Sequence, residues 1–143
     1  GDAHLSGTNR YFSKAIAGHI EADMRRIAEG TAELYRGSAA LTYHYVTPPL
    51  INDEASSALA KTAALKIFED ADIVIEPATT GGEDFAYYIQ DKPGCFAFIG
   101  CADPAKGTDV AHHHECFDID ESVLASGSAL YARYAVDFLS QDS

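Results

Sequence analysis

Apolar residues recur along the chain with two periods, one typical of helices and one typical of strands. After Ser13, a predicted N-cap, they return every three or four residues until Gly37, a residue type that commonly ends helices. This pattern predicts a long first helix with an apolar stripe formed by Ile16, Ile20, Met24, Ile27 and Leu34. Alternating or wholly apolar runs predict four strands, at residues 5–12, 39–46, 73–75 and 95–99.

The second half of the chain contains further helical patterns. Asp53 is the predicted N-cap of a helix that extends to about Phe68, and a short helix is predicted at 83–90. The inward positions of the helix after Asp53 are predicted to be Leu59, Ala63 and Ile67.

A last helix is predicted from about Asp120 to Leu139. Asp118 and Glu121 have the spacing of a capping box at its start. Its buried stripe is predicted to consist of Gly127, Leu130, Tyr134 and Phe138.

Prolines divide these elements into two groups. The segment before Pro48 and Pro49 predicts a one-faced strand–helix–strand unit, and the segment after them has the apolar strands and amphipathic helices of an α/β layer. We therefore predict two partial domains that join near residues 47–53.

The amino-acid composition limits the kinds of molecule that this chain is expected to bind. The chain has 143 residues and a net charge of -12, which disfavours nucleic acid and anionic membranes and favours cations. No window approaches 18 uncharged apolar residues, so no membrane span is predicted. Three cysteines are too few for a disulfide framework, which predicts a reduced, cytoplasmic protein.

The run His112-His113-His114-Glu115-Cys116 is the strongest candidate for metal chemistry. Imidazole, carboxylate and thiolate groups all bind metals. Adjacent side chains of an extended segment point in opposite directions, so this run supplies at most one or two ligands. A loop of solvated histidines is the alternative interpretation.

Two other places could bind a substrate. Gly81 and Gly82 allow close approach of the backbone before a helix that starts at Glu83, although such a turn is commonly only a helix start. The guanidinium of Arg10 has the shape to bind a carboxylate, although a single Arg on a strand usually forms a surface ion pair.

In order along the chain, several segments resemble the M20 metallopeptidases, nearest to the amidohydrolases of N-acyl amino acids such as hippurate hydrolase. They are LSGTNRYF, RRIAEGTAELY, PPLIND, GGEDFAYYIQDKPGCFAFIG and HHHECFDIDESVLASGSALYA. The resemblance implies an α/β zinc-peptidase catalytic domain with an inserted, ferredoxin-like α+β lid through which the enzyme forms homodimers. Residues 1–50 would be the C-terminal half of the lid, and residues 51–143 the C-terminal part of the catalytic domain.

The resemblance also implies site residues. In the family pattern a metal-ligating His lies four residues before the Phe of Phe-Asp-x-Asp-Glu, which makes His113 the expected ligand. Arg10 is expected to bind the substrate carboxylate, and Gly81, Gly82 and Glu83 to form part of the substrate-facing wall. The full enzyme is expected to use two divalent ions (Zn, Mn, Co or Ni) to activate a water.

The resemblance places the catalytic Glu and most metal ligands outside this chain. We therefore expect the C-terminal part of a metal-dependent amidohydrolase, inactive by itself. One alternative is a non-catalytic dimerisation or binding module in which the segment Leu41–Val46 pairs with another chain. Another is a stand-alone metal-binding protein built on residues 112–116, which requires those side chains to converge.

Overall fold

The computed structural model describes residues 1–141, in which the secondary structure is helical. The helices are α1 (Lys14–Leu34), α2 (Glu54–Ala64) and α3 (Val123–Leu139), with short 3-10 helices at Asp70–Asp72 and Asp84–Tyr87. The chain divides into two compact units. The first comprises Gly1–Ile51 and Pro77–Lys92, and the second comprises Asn52–Glu76 and the residues from Pro93 onward. None of the helices in residues 1–141 combines the length and apolar character that a membrane span requires.

Helix α1, in the first unit, lies where the spacing predicts it, but a different residue reverses the chain at its end. Gly37 N–H donates to the Ala32 carbonyl at 2.8 Å and Arg36 N–H donates to the Glu33 carbonyl at 2.9 Å, the two bonds of a Schellman motif. The left-handed position of this motif is occupied by Arg36, with φ 60°, and not by Gly37. A side chain with a Cβ is disfavoured there, so the end of α1 is strained.

The face of α1 that packs within the first unit is not the predicted apolar stripe. Arg25 Nη1 donates to the Leu41 carbonyl at 3.1 Å, and Tyr45 Oη donates to Glu21 Oε2 at 2.9 Å, so the 41–45 segment lies against a polar face. Of the predicted stripe, Ile20 is half-buried, whereas the following residues are exposed: Ile16, Met24, Ile27 and Leu34.

In the second unit, α2 packs against α3. The Asp53 side chain accepts the Ser56 N–H at 2.8 Å, which confirms the predicted N-cap and lowers the pKa of that carboxyl. Ala63 is fully buried between half-buried Leu59 and Ile67, as the spacing predicts. A Cβ on Gly127 would lie 3.2 Å from Ile99 Cδ1, so this glycine lets Ile99 approach α3 closely.

The start of α3 differs from the prediction. Its N-cap is Ser122, and the predicted Asp118–Glu121 capping box is wrong, because the Asp118 carboxylate accepts the N–H of the adjacent Ile119 at 2.8 Å. Within the predicted stripe Gly127, Leu130 and Tyr134 are half-buried, but Phe138 is 53% exposed.

No strand forms among residues 1–141, so the strands predicted at 5–12, 39–46, 73–75 and 95–99 are absent there. A strand exists only when a neighbour completes its hydrogen-bond ladder, and these segments find no such neighbour in the described residues. Side chains predicted to be buried are therefore open to solvent, including Val74 at 69%, Ile75 at 95% and Phe98 at 69% exposure. The fully buried apolar side chains in this range are small: Ala17, Ala63 and Ala86.

Candidate functional site

Arg10 lies in the first unit, on a segment that its neighbours hold in place. Tyr43 Oη donates to Asn9 Oδ1 at 2.9 Å, and Tyr11 Oη donates to the Thr47 carbonyl at 3.3 Å. The Arg10 side chain is exposed and its Nη1 donates to the Asn9 carbonyl at 3.1 Å. In residues 1–141 no carboxylate forms an ion pair with this guanidinium, so its charge is available to a ligand.

Gly81 and Gly82 lie in the same unit, next to Thr47. A Cβ on Gly82 would meet Thr47 Oγ1 at 3.5 Å, and one on Gly81 would meet Thr79 Oγ1 at 3.8 Å, both ordinary contacts. Neither glycine has a positive φ. The local fold therefore does not require glycine at either position.

Glu83 caps the 3-10 helix Asp84–Tyr87. Its carboxylate accepts the Phe85 N–H at 3.1 Å, and its carbonyl accepts the Ala86 N–H at 3.3 Å. The predicted helix at 83–90 is shorter and tighter than expected. Because the Glu83 carboxylate accepts an N–H at the helix start, it places a negative charge there, which disfavours an anion at this position.

An open surface pocket of about 290 Å³ lies in the first unit, and no sequence pattern indicates it. The hydroxyls of Tyr11 and Tyr87 donate to the carbonyls of Thr47 and Val46, so the rings form walls while the polar tips are satisfied. Its full lining is Tyr11, Lys14, Ala17, Tyr45, Thr47, Pro48, Tyr87 and Gln90. These tyrosines come from separate segments, and no spacing in the sequence groups them.

His113 lies in the second unit, at the bend of a tight turn. His114 N–H donates to the Ala111 carbonyl at 3.3 Å, which places His113 at the third position of a four-residue turn. Its φ is 68°, in the left-handed region that favours glycine. Histidine is enriched several-fold among the non-glycine residues found in this region, and the conformation still costs free energy that the surrounding contacts must supply. The sequence gives no signal of it.

The neighbouring histidines are engaged within the loop. His114 Nδ1 accepts the Cys116 N–H at 3.0 Å, and the His112 ring packs edge-on against Phe117 with centroids 4.8 Å apart. The His113 imidazole is exposed and forms no hydrogen bond with residues 1–141, so it can offer a nitrogen to a metal ion.

A complete metal site does not form in the described part of the chain. No three His, Cys, Asp or Glu side chains of residues 1–141 come close enough to hold one ion. The stand-alone metal site considered for residues 112–116 is therefore wrong, because these side chains do not converge.

Asn52 has a structural role. Its Nδ2 donates to the Phe96 carbonyl at 2.9 Å and its Oδ1 accepts the Phe96 N–H at 2.8 Å. The amide thereby pairs with the backbone as a neighbouring strand would, which fixes the 94–99 segment beside the start of α2.

Comparison with known proteins gives a consistent family. The sequence model described as Peptidase family M20/M25/M40 matches residues 4–137. An N-acetyl-L-cysteine deacetylase of Bacillus subtilis is 36% identical over 127 residues, which are 87% of this chain and 28% of that protein. A second Bacillus subtilis protein, an N-acetylcysteine deacetylase, is 34% identical over 94% of this chain and 33% of its own length.

The chain is also similar to a plant protein. An IAA-amino acid hydrolase of Arabidopsis thaliana is 27% identical over 139 residues, which are 94% of this chain and 30% of that protein. The chain thus spans about a third of the length of these relatives. No solved structure matches the chain.

Proposed function

This chain belongs to the peptidase family M20/M25/M40, and on that premise we propose that the protein it represents hydrolyses the amide bond of N-acyl amino acids, hippurate-like compounds among them. The family match over residues 4–137 carries the proposal. The relatives include N-acetylcysteine deacetylases and an IAA-amino acid hydrolase, activities that release an amino acid from such conjugates.

His113 is the proposed metal ligand of this chain. Its exposed imidazole, presented at the bend of a turn, supports that role. Two divalent ions (Zn, Mn, Co or Ni) in the full protein would polarise the scissile carbonyl and lower the pKa of a bound water. Because residues 1–141 bring no three ligands together, we expect this chain alone to be inactive.

Arg10 is the proposed carboxylate-binding residue. A guanidinium without an acidic partner can form two parallel hydrogen bonds with a carboxylate, which favours acyl amino acids over internal peptide bonds. Gly81, Gly82 and Glu83 would form part of the substrate-facing wall, the glycines by admitting the substrate and Glu83 by repelling a misplaced anion.

We also propose the domain arrangement implied by the family. Residues 1–50 would form the C-terminal half of a ferredoxin-like lid and dimerisation domain, and residues 51–143 part of an α/β catalytic domain. Exposed Tyr45 and Val46, at 53% and 74%, support pairing of this segment with another chain, and a homodimer through the lid is our proposal. The free thiols of Cys95, Cys101 and Cys116 agree with a reducing, cytoplasmic location.

The test uses the full-length protein with N-acetyl and N-benzoyl amino acids, each compared with its carboxamide. We expect hydrolysis of the free acids and poor hydrolysis of the amides. Arg10→Met should raise KM for the free acids by about 10–100-fold, because a charge-assisted hydrogen bond is lost. Arg26→Met is the matched control, since Arg26 is an exposed arginine of the same unit paired with Asp23.

Two results would contradict the proposal. Hydrolysis of none of these conjugates, with a stable dimer as the only property of the protein, would favour the non-catalytic dimerisation module. Equal effects of Arg10→Met and Arg26→Met would remove Arg10 from the substrate site.

A further inference from the structure

An ion pair joins the two ends of the loop that contains His113. Lys106 Nζ lies 2.7 Å from Asp120 Oδ2, the residues that flank the 107–119 loop. Beside the pair, Asp120 N–H donates to the Cys101 carbonyl at 2.9 Å. The base of the loop is therefore closed by a backbone bond and by a charged side-chain bond.

Asp120 is held more firmly than an ordinary surface carboxylate. Its Oδ1 accepts the Ser122 N–H at 3.0 Å, its Oδ2 accepts the Ser122 hydroxyl at 2.8 Å, and its side chain is 15% exposed. The Lys106 ammonium, followed by the Ser122 donors, lowers the pKa of Asp120 to about 2. The carboxylate is therefore ionised at every pH at which a hydrolase of this family would be assayed.

Lys106 is delivered by a turn with its own hydrogen bonds. Asp103 N–H donates to Thr108 Oγ1 at 2.9 Å, and the Thr108 N–H donates to the Asp103 carbonyl at 3.1 Å. Thr108 is buried, and Lys106 N–H also donates to the Asp103 carbonyl, at 3.0 Å. The turn fixes the backbone of Lys106, and from there the ammonium reaches Asp120 Oδ2 at 2.7 Å and Asp103 Oδ2 at 3.6 Å.

We propose that Lys106 and Asp120 are positioning residues that clamp the 107–119 loop and hold His113 in its strained, ligand-presenting conformation. A left-handed conformation of a bulky residue persists only where its surroundings impose it. Inside the loop, the bonds that impose it are the short-range ones of His114, Cys116 and Phe117. Without the Lys106–Asp120 pair, the base of the loop is held by the Asp120–Cys101 backbone bond and the Thr108 turn alone, so the loop opens at a lower cost in free energy.

Only the role of the loop as a metal-binding element rests on the proposed function; the clamp itself does not. The test therefore has two readouts in the full-length protein. Amide hydrogen exchange at residues 114, 116 and 117 reports the loop, and competition with a chelator reports zinc affinity.

The variants are Lys106→Met, which keeps the aliphatic stem, and Lys106→Arg, which keeps the charge. Lys66→Met is the matched control. Lys66 Nζ lies 2.9 Å from Asp137 Oδ2, an ion pair in the same unit that joins α3 and not the loop. The two side chains of this pair are 41% and 11% exposed, compared with 51% and 15% for Lys106 and Asp120.

We expect Lys106→Met to accelerate exchange at the loop amides and to weaken zinc binding by about two- to fivefold each, the scale of a partly exposed ion pair. Lys106→Arg should restore most of both, and Lys66→Met should leave both near the wild-type values. Should Lys106→Met fail to fold, Asp120→Asn removes the charge and keeps an oxygen that accepts the Ser122 N–H, and the same results are expected of it.

Wild-type exchange in Lys106→Met, or the same changes in Lys66→Met, would overturn the clamp. Accelerated loop exchange in a protein whose wild type binds no zinc would support the clamp and contradict the proposed function. Accelerated exchange with unchanged zinc affinity would overturn the link between the clamp and His113.

Discussion

Two residues of the chain have an unfavourable, positive φ, and comparing them separates the energetic cost of that conformation from any role in metal binding. His113 and Arg36 have φ values of 68° and 60°, and only His113 is a proposed ligand. A residue with a Cβ in this region costs roughly 1–2 kcal/mol, and glycine avoids that cost but loses about 0.5–1 kcal/mol through the greater freedom of the unfolded chain. The difference between the central values of these two terms predicts that His113→Gly and Arg36→Gly each raise the free energy of unfolding by about 0.7 kcal/mol.

The assay is urea denaturation of the full-length protein together with hydrolysis of an N-acetyl amino acid. With slopes of about 1–3 kcal/mol per M, the gain moves the urea midpoint upward by about 0.2–0.7 M. Arg36→Gly should keep full activity, whereas His113→Gly should gain stability and lose hydrolysis. His113→Ala keeps the Cβ, so it should lose hydrolysis without that gain. The reasoning fails if His113→Gly is no more stable than His113→Ala.

Four further substitutions test other contacts. Gly82→Ala should change the free energy of unfolding by less than about 0.5 kcal/mol, because the added Cβ has room, and it should reduce the rate of hydrolysis. Unchanged hydrolysis would exclude Gly82 from the substrate-facing wall. Asn52→Ala should cost about 1–2 kcal/mol in urea denaturation through its lost bonds to Phe96, and no cost would contradict their role. Gly127→Ala should raise the free energy of unfolding by up to about 1 kcal/mol through helix propensity, with a small shift of the Ile99 methyl group. A lower free energy of unfolding would show that the Ile99 methyl group cannot move away from the added Cβ. The pKa of Asp120 is lowered from 3.8 to about 2, so the stabilisation that its carboxylate provides is complete above pH 3.8 and is lost as the pH falls through 2. The difference in free energy of unfolding between wild type and Asp120→Asn should therefore narrow over that range. A constant difference would contradict the stabilising role of the Asp120 carboxylate.

Local interactions made the helices predictable. The N-cap at Asp53 and the inward positions Leu59, Ala63 and Ile67 depend on residues within one or two turns, which spacing reveals. The capping of α3 could not be predicted in the same way. Before this helix, the Asp120 carboxylate accepts a hydrogen bond from Lys106, fourteen residues earlier in the chain. The Asp118 carboxylate accepts the N–H of the adjacent Ile119 and does not cap the helix within residues 1–141.

Non-local contacts explain the remaining differences. The stripe on α1 is regular, yet the 41–45 segment packs on the face of Glu21 and Arg25, a choice that depends on tertiary contacts. The apolar runs at 73–75 and 95–99 have the composition of buried strands, but a strand depends on a neighbour that composition does not specify.

The sequence and the structure contribute different facts about the candidate site. The structure shows that the His112 ring packs against Phe117 and that His114 Nδ1 accepts the Cys116 N–H. The family pattern alone selects among the three adjacent histidines, and the metal-binding role of His113 stays a prediction. The left-handed backbone of His113 and the Lys106–Asp120 clamp have no counterpart in any spacing of the sequence.

The central claim, that His113 is the metal ligand of this chain, is tested most directly by metal content. The full-length protein is loaded with zinc, freed of excess by gel filtration and analysed by plasma mass spectrometry, beside His112→Ala, His113→Ala and His114→Ala. We predict about two ions per wild-type chain, retained by His112→Ala and His114→Ala, with at least one ion lost from His113→Ala. Full metal content in His113→Ala, or a loss confined to either of its neighbours, would contradict the account.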